Sequence, residues 1–224
     1  MIVPTLNEAQ NLPRALSVIQ NTANAEIIVV DGGSEDETVS IAKAHHANVI
    51  PVSPGRAGQM NCGAAAATGD ILLFLHADTC LPDRWDYWIR QTLAQPGVVA
   101  GAFGLQIDAQ SLELRLVEWG VNVRSRLFQF PYGDQAIFLR AKVFHDQGGF
   151  PDLPIMEDFE LIRQLRRRGR VAIPPAAVTT SGRRWQKLGV LRTTLINQLI
   201  IAGYFAGVAP PKLMSWYRPW GKSP

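Results

Sequence analysis

Four short segments of this chain set acidic or polar side chains where an apolar run ends. Asp31 closes Val29-Val30 and is followed by Gly32-Gly33-Ser34. A carboxylate at a strand end can accept hydrogen bonds from a uracil-like ring or a ribose, and glycines let backbone approach a ligand closely. His76-Ala77-Asp78 follows Phe74-Leu75. Residues i and i+2 share one face of an extended chain, so His76 and Asp78 can serve one cation. Asp78 suits Mg²⁺ or Mn²⁺, and His76 suits Mn²⁺ better. Met156-Glu157-Asp158-Phe159-Glu160 opens a helical pattern. Carboxylates there are stabilised by free N–H groups, and one aimed into a cleft can act as a general base. Val3-Pro4-Thr5-Leu6-Asn7-Glu8 turns from strand toward helix, where backbone of Pro4 and Thr5 can face a ligand. Plainer roles stand beside these: Asn7 as a helix cap, Ser34 to Glu37 as a capping box, His76 as a structural histidine, and Glu157-Asp158 as caps.

The elements that must position these groups are read from periodicity. Strand-like runs fall at Ile2-Val3, 27–30, 71–75, 98–103, 136–139 and 171–173. Helical spacing joins Leu12, Leu16 and Ile19, and helices are expected over 38–46, 57–67, 110–128 and 158–168, the last stopped by Gly169. Strands apolar on both faces alternating with helices predict an α/β chain, a mostly parallel central sheet with helices on both faces. Residues 188–209 are the most apolar stretch, but Arg192, Asn197 and Gln198 interrupt it. A helix packed on the domain or lying at a membrane surface is expected rather than a span. The tail Trp216-Tyr217-Arg218-Pro219-Trp220 suits either a membrane interface or the core.

The chain has 224 residues, 47% hydrophobic and 18% charged, which excludes a disordered chain. Cys62 and Cys80 form no C-x-x-C pair, and the first residues have neither a basic nor an apolar leader region. Two free thiols and a cytoplasmic setting are the expectation. The net charge of +3 is unevenly spread. Residues 1–155 carry 10 Lys/Arg and 16 Asp/Glu, and residues 156–224 carry 12 and 3. A basic last third suits an anionic partner such as a diphosphate or lipid head group, or a solvated helix face. The glycines do not follow G-x-G-x-x-G, which disfavours a dinucleotide oxidoreductase.

Taken in order and spacing, the four segments resemble glycosyltransferase family 2, the inverting nucleotide-sugar transferases of GT-A fold. The resemblance runs from Val3 to about Trp185, and HAD at 76–78 with GDQ at 133–135 is similar to a small bacterial branch. It implies a single domain: a Rossmann-like nucleotide-sugar half over 1–108, an acceptor and catalytic half over 109–187, and an apolar helix and tail over 188–224. It implies a nucleoside pocket at Pro4, Thr5, Glu8 and Asp31, with Arg56, His76 and Ala77 beside the nucleotide sugar. Asp78 matches the last carboxylate of a D-x-D metal motif, with His76 in place of the first. Asp158 matches the catalytic base of an E-D motif, whose first member is Glu157. Arg184 and Trp185 match the end of a Q-x-x-R-W motif near acceptor and diphosphate, with Ser181 in place of its Gln. Asp134 is a candidate for acceptor hydroxyls, and Arg183 for the diphosphate.

The implied reaction moves a sugar from a nucleotide-diphosphate donor, a UDP-sugar first, to an acceptor hydroxyl, with Mg²⁺ or Mn²⁺ and no nucleic acid. Peripheral contact with the inner face of a membrane through 188–220 accompanies it. Two other readings stay open: a sugar nucleotidyltransferase, although no Gly-rich loop with Arg and Lys lies between Val3 and Gln20, and a non-catalytic binding or membrane-surface protein, for which His76 and Ser181 speak. The transferase reading rests on Asp31, Asp78 and Asp158 gathering round a single cleft at one rim of the sheet.

Overall fold

The computed structural model describes residues 1–17, 25–109 and 111–217. Strand and helix alternate at first: β1 (Ile2–Thr5), α1 (Leu12–Ser17), β2 (Ile28–Asp31), α2 (Thr38–Ala44), β3 (Asn48–Pro51), α3 (Arg56–Ala66) and β4 (Ile71–Leu73). Next come β5 (Thr79–Cys80), α4 (Trp85–Leu93), β6 (Val98–Gly101), β7 (Gly104–Asp108) and α5 (Leu112–Leu127). A 3₁₀ turn at Gly133–Gln135 leads to β8 (Phe138–Arg140), α6 (Ala141–Gln147), α7 (Glu157–Leu165), β9 (Arg170–Ala172) and β10 (Ala177–Ser181). Three helices close the described chain: α8 (Arg183–Leu188), α9 (Val190–Phe205) and α10 (Pro210–Tyr217).

The strands β1, β2 and β3 pair in parallel, and β4, β8, β6 and β9 form a mixed sheet. A parallel bridge between Ile2 and Phe74 joins the two into one surface. A second small sheet has the order β5-β10-β7, with β10 parallel to β7 and antiparallel to β5.

Alternation along the strands builds two apolar layers. Val3 and Val29 point to the layer that holds Leu12 and Leu16 of α1 and Ala42 of α2. Ile2, Ile28 and Val30 point the other way, to Ala57, Met60 and Ala64 of α3. A strand buried on both faces has no polar side, which is why these runs read as continuously apolar. Truncating a fully buried leucine such as Leu12 or Leu16 would cost about 2–5 kcal/mol. A third cluster ties α7 to the terminal helices through Phe159, Ile200 and Leu213.

Several local expectations are corrected. The run 98–103 holds one strand, β6, which ends at Gly101; β7 begins beyond the run at Gly104. The strands β3 and β10 carry little apolar signal: β3 has no buried residue, and β10 reads AVTTS. Helix α7 ends at Leu165, earlier than Gly169. Gly169 instead allows a close approach, since a Cβ there would lie 2.6 Å from Val99 Cγ1 and 2.7 Å from the Gly97 carbonyl oxygen. Asn7 does not cap α1, which starts at Leu12; its Oδ1 accepts from the Glu35 N–H at 2.9 Å. The Ser34–Glu37 capping box is not formed, because Ser34 Oγ donates to Asp31 and Asp36 accepts from the Thr38 N–H. The stretch 188–209 is broken by Gly189, and no helix of the described residues is long and apolar enough to cross a membrane. Cys62 and Cys80 are free thiols. Ile19 and residues 218–220 of the tail lie outside the described residues.

Gly101 sits where β6 meets the Phe138 ring of β8. A Cβ there would lie 2.5 Å from that ring and 2.9 Å from the Ala172 carbonyl oxygen. Gly101→Ala is therefore expected to cost about 1–3 kcal/mol by overpacking, read as a lower denaturant midpoint at unchanged slope.

Candidate active site

The carboxyl ends of β1 and β2 are knit together by side chains. Asp31 is buried at the end of β2, level with Thr5 in the register. Its Oδ1 accepts from Thr5 Oγ1 at 3.2 Å and from Ser34 Oγ at 2.5 Å, and its Oδ2 from the N–H groups of Gly33 and Ser34 at 3.0 and 2.9 Å. The Thr5 carbonyl is not free, contrary to the sequence expectation. It accepts from the Gly32 N–H and from Gln59 Nε2, both at 2.9 Å. Gln59, buried on α3, also donates to the Val30 carbonyl at 2.8 Å and so pins α3 to both strand ends. Pro4 is half-buried beside them.

Beyond β1, Glu8 accepts from Asn11 Nδ2 and from Arg183 Nη2, the latter at 3.3 Å. Burial raises its pKa against the pull of Asn11 and Arg183. The same guanidinium reaches Asp78 Oδ2 at 3.5 Å. Arg183 stands there because β10 pairs with β5: the Ser181 N–H donates to the Asp78 carbonyl at 3.1 Å, and α8 starts two residues later.

A small cleft lies one strand further, lined by Arg56, His76, Gly133, Glu157 and Asp158 with an apolar floor that includes Met60, Phe74 and Phe150. Gly133 is closely approached on two sides. A Cβ there would lie 3.0 Å from Asp158 Oδ2 and 3.1 Å from His76 Nε2. The Gly133 N–H donates to Asp158 Oδ2 at 2.5 Å, and the Phe159 N–H to Asp158 Oδ1 at 2.7 Å. Each carboxylate oxygen keeps a second lone pair for a ligand. Burial, helped by the charge of Arg56, lowers the His76 pKa to about 3, so the imidazole is neutral and able to accept or ligate. Ala77 is buried between His76 and Asp78. Two residues around the cleft hold left-handed backbone, Ala136 at φ 50° and Met156 at φ 71°. Such strain persists where packing over-determines it, and here it aims the 133–135 turn and the start of α7.

Charge is concentrated here. Glu157 is buried and lies 3.3 Å from Arg56 Nε; burial raises its pKa despite that cation. Asp134 keeps Oδ1 buried with no hydrogen-bond partner among the described residues. Burial raises its pKa to about 6, opposed by Arg124 and reinforced by Asp158 and Asp78. Arg184 has its pKa lowered to about 10, by burial and then by Arg56. Two guanidinium groups near enough to disfavour one another suit an anionic ligand. Trp185 packs on the main core, and its indole N–H is buried without a partner among the described residues.

The expected gathering round one cleft is corrected: neither Asp31 nor Asp78 lines the cleft that holds Asp158, because Asp31 is turned onto Thr5 and Ser34 and Asp78 toward Arg183. Asp78 links the groups electrostatically, because its charge acts on both Glu8 and Asp134. Sequence reasoning missed Gln59, Arg124 and Tyr132. Arg124 lies over the Tyr132 ring at 3.5 Å and donates to Gln135 Oε1 at 3.2 Å. Nothing in the local pattern of α5 marks Arg124, since it reads as a basic last turn.

Acidic and cationic groups crowd the carboxyl rim of an α/β sheet, and the fold is of the GT-A class. Residues 1–148 match Glycosyl transferase family 2, and the chain belongs to that family. It is 41% identical over 168 residues to a PGL/p-HBAD biosynthesis glycosyltransferase of Mycobacterium bovis, covering 67% of this chain and 62% of that protein. The chain thus spans about three fifths of the length of the curated relatives it matches. The fold is similar to the mannosyltransferase PcManGT from Pyrobaculum calidifontis in complex with GDP-Man and Mn²⁺. That likeness has a TM-score of 0.67 at 21% identity over 98% of this chain and 68% of that one. It is also similar to glucosyl-3-phosphoglycerate synthase from Mycobacterium tuberculosis in complex with Mn²⁺, UDP and glucosyl-3-phosphoglycerate. There the TM-score is 0.59 at 20% identity over 80% of this chain and 68% of that one.

Two outcomes test this geometry. Protonated Asp134 is favoured in the folded chain, so its burial penalty is absent at low pH, grows as pH rises from the ordinary carboxylate range, and is complete above pH 6. Asp134→Asn should raise stability by on the order of 2 kcal/mol near pH 8 and be close to neutral below about pH 4, measured by denaturant unfolding. Gly133→Ala should displace Asp158 or His76 by a few tenths of an ångström and lower turnover roughly tenfold with little loss of stability, read from kcat beside a melting curve.

Proposed function

We propose that the chain is an inverting glycosyltransferase that moves a sugar from a nucleotide-diphosphate donor to an acceptor hydroxyl. The observation that carries this reading is Asp158 at the start of α7, held by two N–H groups across Gly133 from a neutral His76. Membership of the family supports it. Residues 1–108 form the donor half, with Pro4, Thr5, Glu8 and Asp31 around the nucleoside and Arg56, His76 and Ala77 beside the sugar diphosphate. Residues 109–187 form the acceptor half, with Asp134, Glu157, Arg184 and Trp185 near acceptor and diphosphate, and 188–224 complete a single domain. A UDP-sugar is the first donor to test, because the glucosyl-3-phosphoglycerate synthase it resembles is bound to UDP; GDP-mannose is the second.

Asp158 takes the proton of the acceptor hydroxyl as that oxygen attacks the anomeric carbon from the face opposite the diphosphate. The new carbon–oxygen bond forms as the bond to the diphosphate breaks, and that electron pair leaves on phosphate oxygen. Arg56, Arg183 and Arg184 meet the growing charge with forked donors. General-base help of this kind is worth about 10²–10⁴-fold.

Among the described residues, no three His, Cys, Asp or Glu side chains gather as a ready-made metal cage. Residues 76–79 form a turn, with the Thr79 N–H donating to the His76 carbonyl at 3.1 Å, so His76 and Asp78 do not share a face as an extended chain would place them. Asp78 fits the other kind of site, in which one or two protein ligands are completed by substrate phosphates, and would hold Mg²⁺ or Mn²⁺ there. The cation supplies charge stabilisation to the departing diphosphate.

Asp158→Asn is expected to keep nucleotide-sugar binding and lower turnover by at least ~100-fold. A thermal-shift screen of nucleotide sugars, with and without Mn²⁺ or Mg²⁺, reads the first part; release of nucleoside diphosphate in single-turnover assays reads the second. Undiminished turnover removes Asp158 as the base, and release of pyrophosphate would turn the reading to a nucleotidyltransferase.

A further inference from the structure

Helices α5 and α9 pack against one another, and each leaves the face opposite its packed side bare. On α5, Leu114, Glu118 and Ser125 are buried. Leu112, Leu116, Trp119 and Leu127 fall on one stripe of the other side and are 85%, 70%, 68% and 72% exposed. On α9, Thr193, Ile200 and Gly203 are buried. Leu191, Leu195 and Leu199 repeat the stripe at 84%, 60% and 52% exposure. Single exposed leucines are ordinary, but an exposed apolar stripe on each of two helices in contact is of the kind that marks a contact surface.

Charge identifies what covers it. From Leu161 to the end of the chain there are twelve Lys/Arg and no Asp or Glu. Arg126 is exposed at the last turn of α5, and Lys187 is exposed on α8, which packs on α9. A second copy of the chain seated on this face would bring like charges together. We propose that the α5–α9 face is seated on an anionic lipid bilayer, with its two stripes in the boundary between head groups and acyl chains and its cations on lipid phosphate. Trp119 suits that depth, and neither helix is long and apolar enough to cross. The buried side of α9 holds the start of α7. Tyr204 Oη donates to Glu160 Oε2 at 3.0 Å, and the Phe159 ring packs on Tyr204 and Phe205 with centroids 5.5 Å away in each case. Seating the face on lipid therefore sets the catalytic helix one layer from the bilayer. Bilayer binding needs no turnover, so it stands or falls apart from the transfer reaction.

Cosedimentation with vesicles tests it. The full chain should pellet with phosphatidylcholine vesicles containing phosphatidylglycerol, far less with phosphatidylcholine alone, and progressively less as salt rises. Leu116→Glu with Leu195→Glu, both on the exposed face and checked for native circular dichroism, should abolish pelleting. Arg126→Gln with Lys187→Gln should weaken it by roughly fivefold per charge removed. Wild-type protein that stays in the supernatant with both vesicle types, or pelleting untouched by the leucine substitutions, overturns the proposal. So does a dimer in sedimentation equilibrium that the leucine substitutions convert to monomer, which would make this face an interface between copies.

Discussion

Arg56 holds the balance of charge on which the site depends. Its guanidinium pairs with buried Glu157 and bears on His76, Asp134 and Arg184. Acidic groups this close repel one another, and burial penalises each charged form further. Cations brought from two other elements, Arg124 from α5 and Arg183 and Arg184 from α8, offset the remainder around Arg56 at the start of α3. Burial with the charge of Arg56 keeps His76 neutral, while burial with Asp158 and Asp78 raises the Asp134 pKa to about 6 against the pull of Arg124 and Arg56.

Backbone geometry completes what charge begins. Gly133 permits an approach that any Cβ would crowd, and its N–H holds Asp158. Left-handed Ala136 and Met156 set the direction of the chain on either side. The surrounding layers bear this strain: Phe159 is anchored to α9 and α10, and Ile137 and Phe138 are fully buried in the sheet. Rigidity of the two apolar layers is thus converted into precision at the rim.

Much of the nucleotide-side architecture was legible. The strand carrying Val29-Val30, and β4 with Phe74-Leu75 just beyond it, are buried on both faces, so their apolar runs announce themselves, and the residues just after each run emerge at the rim of the sheet. The helix at Asp158 was legible from its acidic first turn. Edge and polar strands were not: β3 has no buried residue and β10 is rich in threonine, so neither shows the pattern of a core strand. Asn7, Ser34 and Asp36 suggest local caps by their spacing, yet their bonds run between the loops after β1 and β2. A side chain chooses its partner by proximity in space, which sequence spacing does not report.

By itself the sequence determined the alternation of strand and helix, the family, and the residue types able to accept a proton, ligate a cation or meet a diphosphate. These are set by local periodicity and by chemistry each residue carries wherever it lies. Only the tertiary structure decided that Asp31 lies outside the cleft holding Asp158, that Arg183 bridges Glu8 and Asp78, and that two helices in contact each leave an apolar stripe exposed. The bridge depends on β10 pairing with β5, and the stripes on which sides α5 and α9 bury. Contacts between segments so distant in the chain arise from packing of whole layers, and no short window of sequence contains both partners.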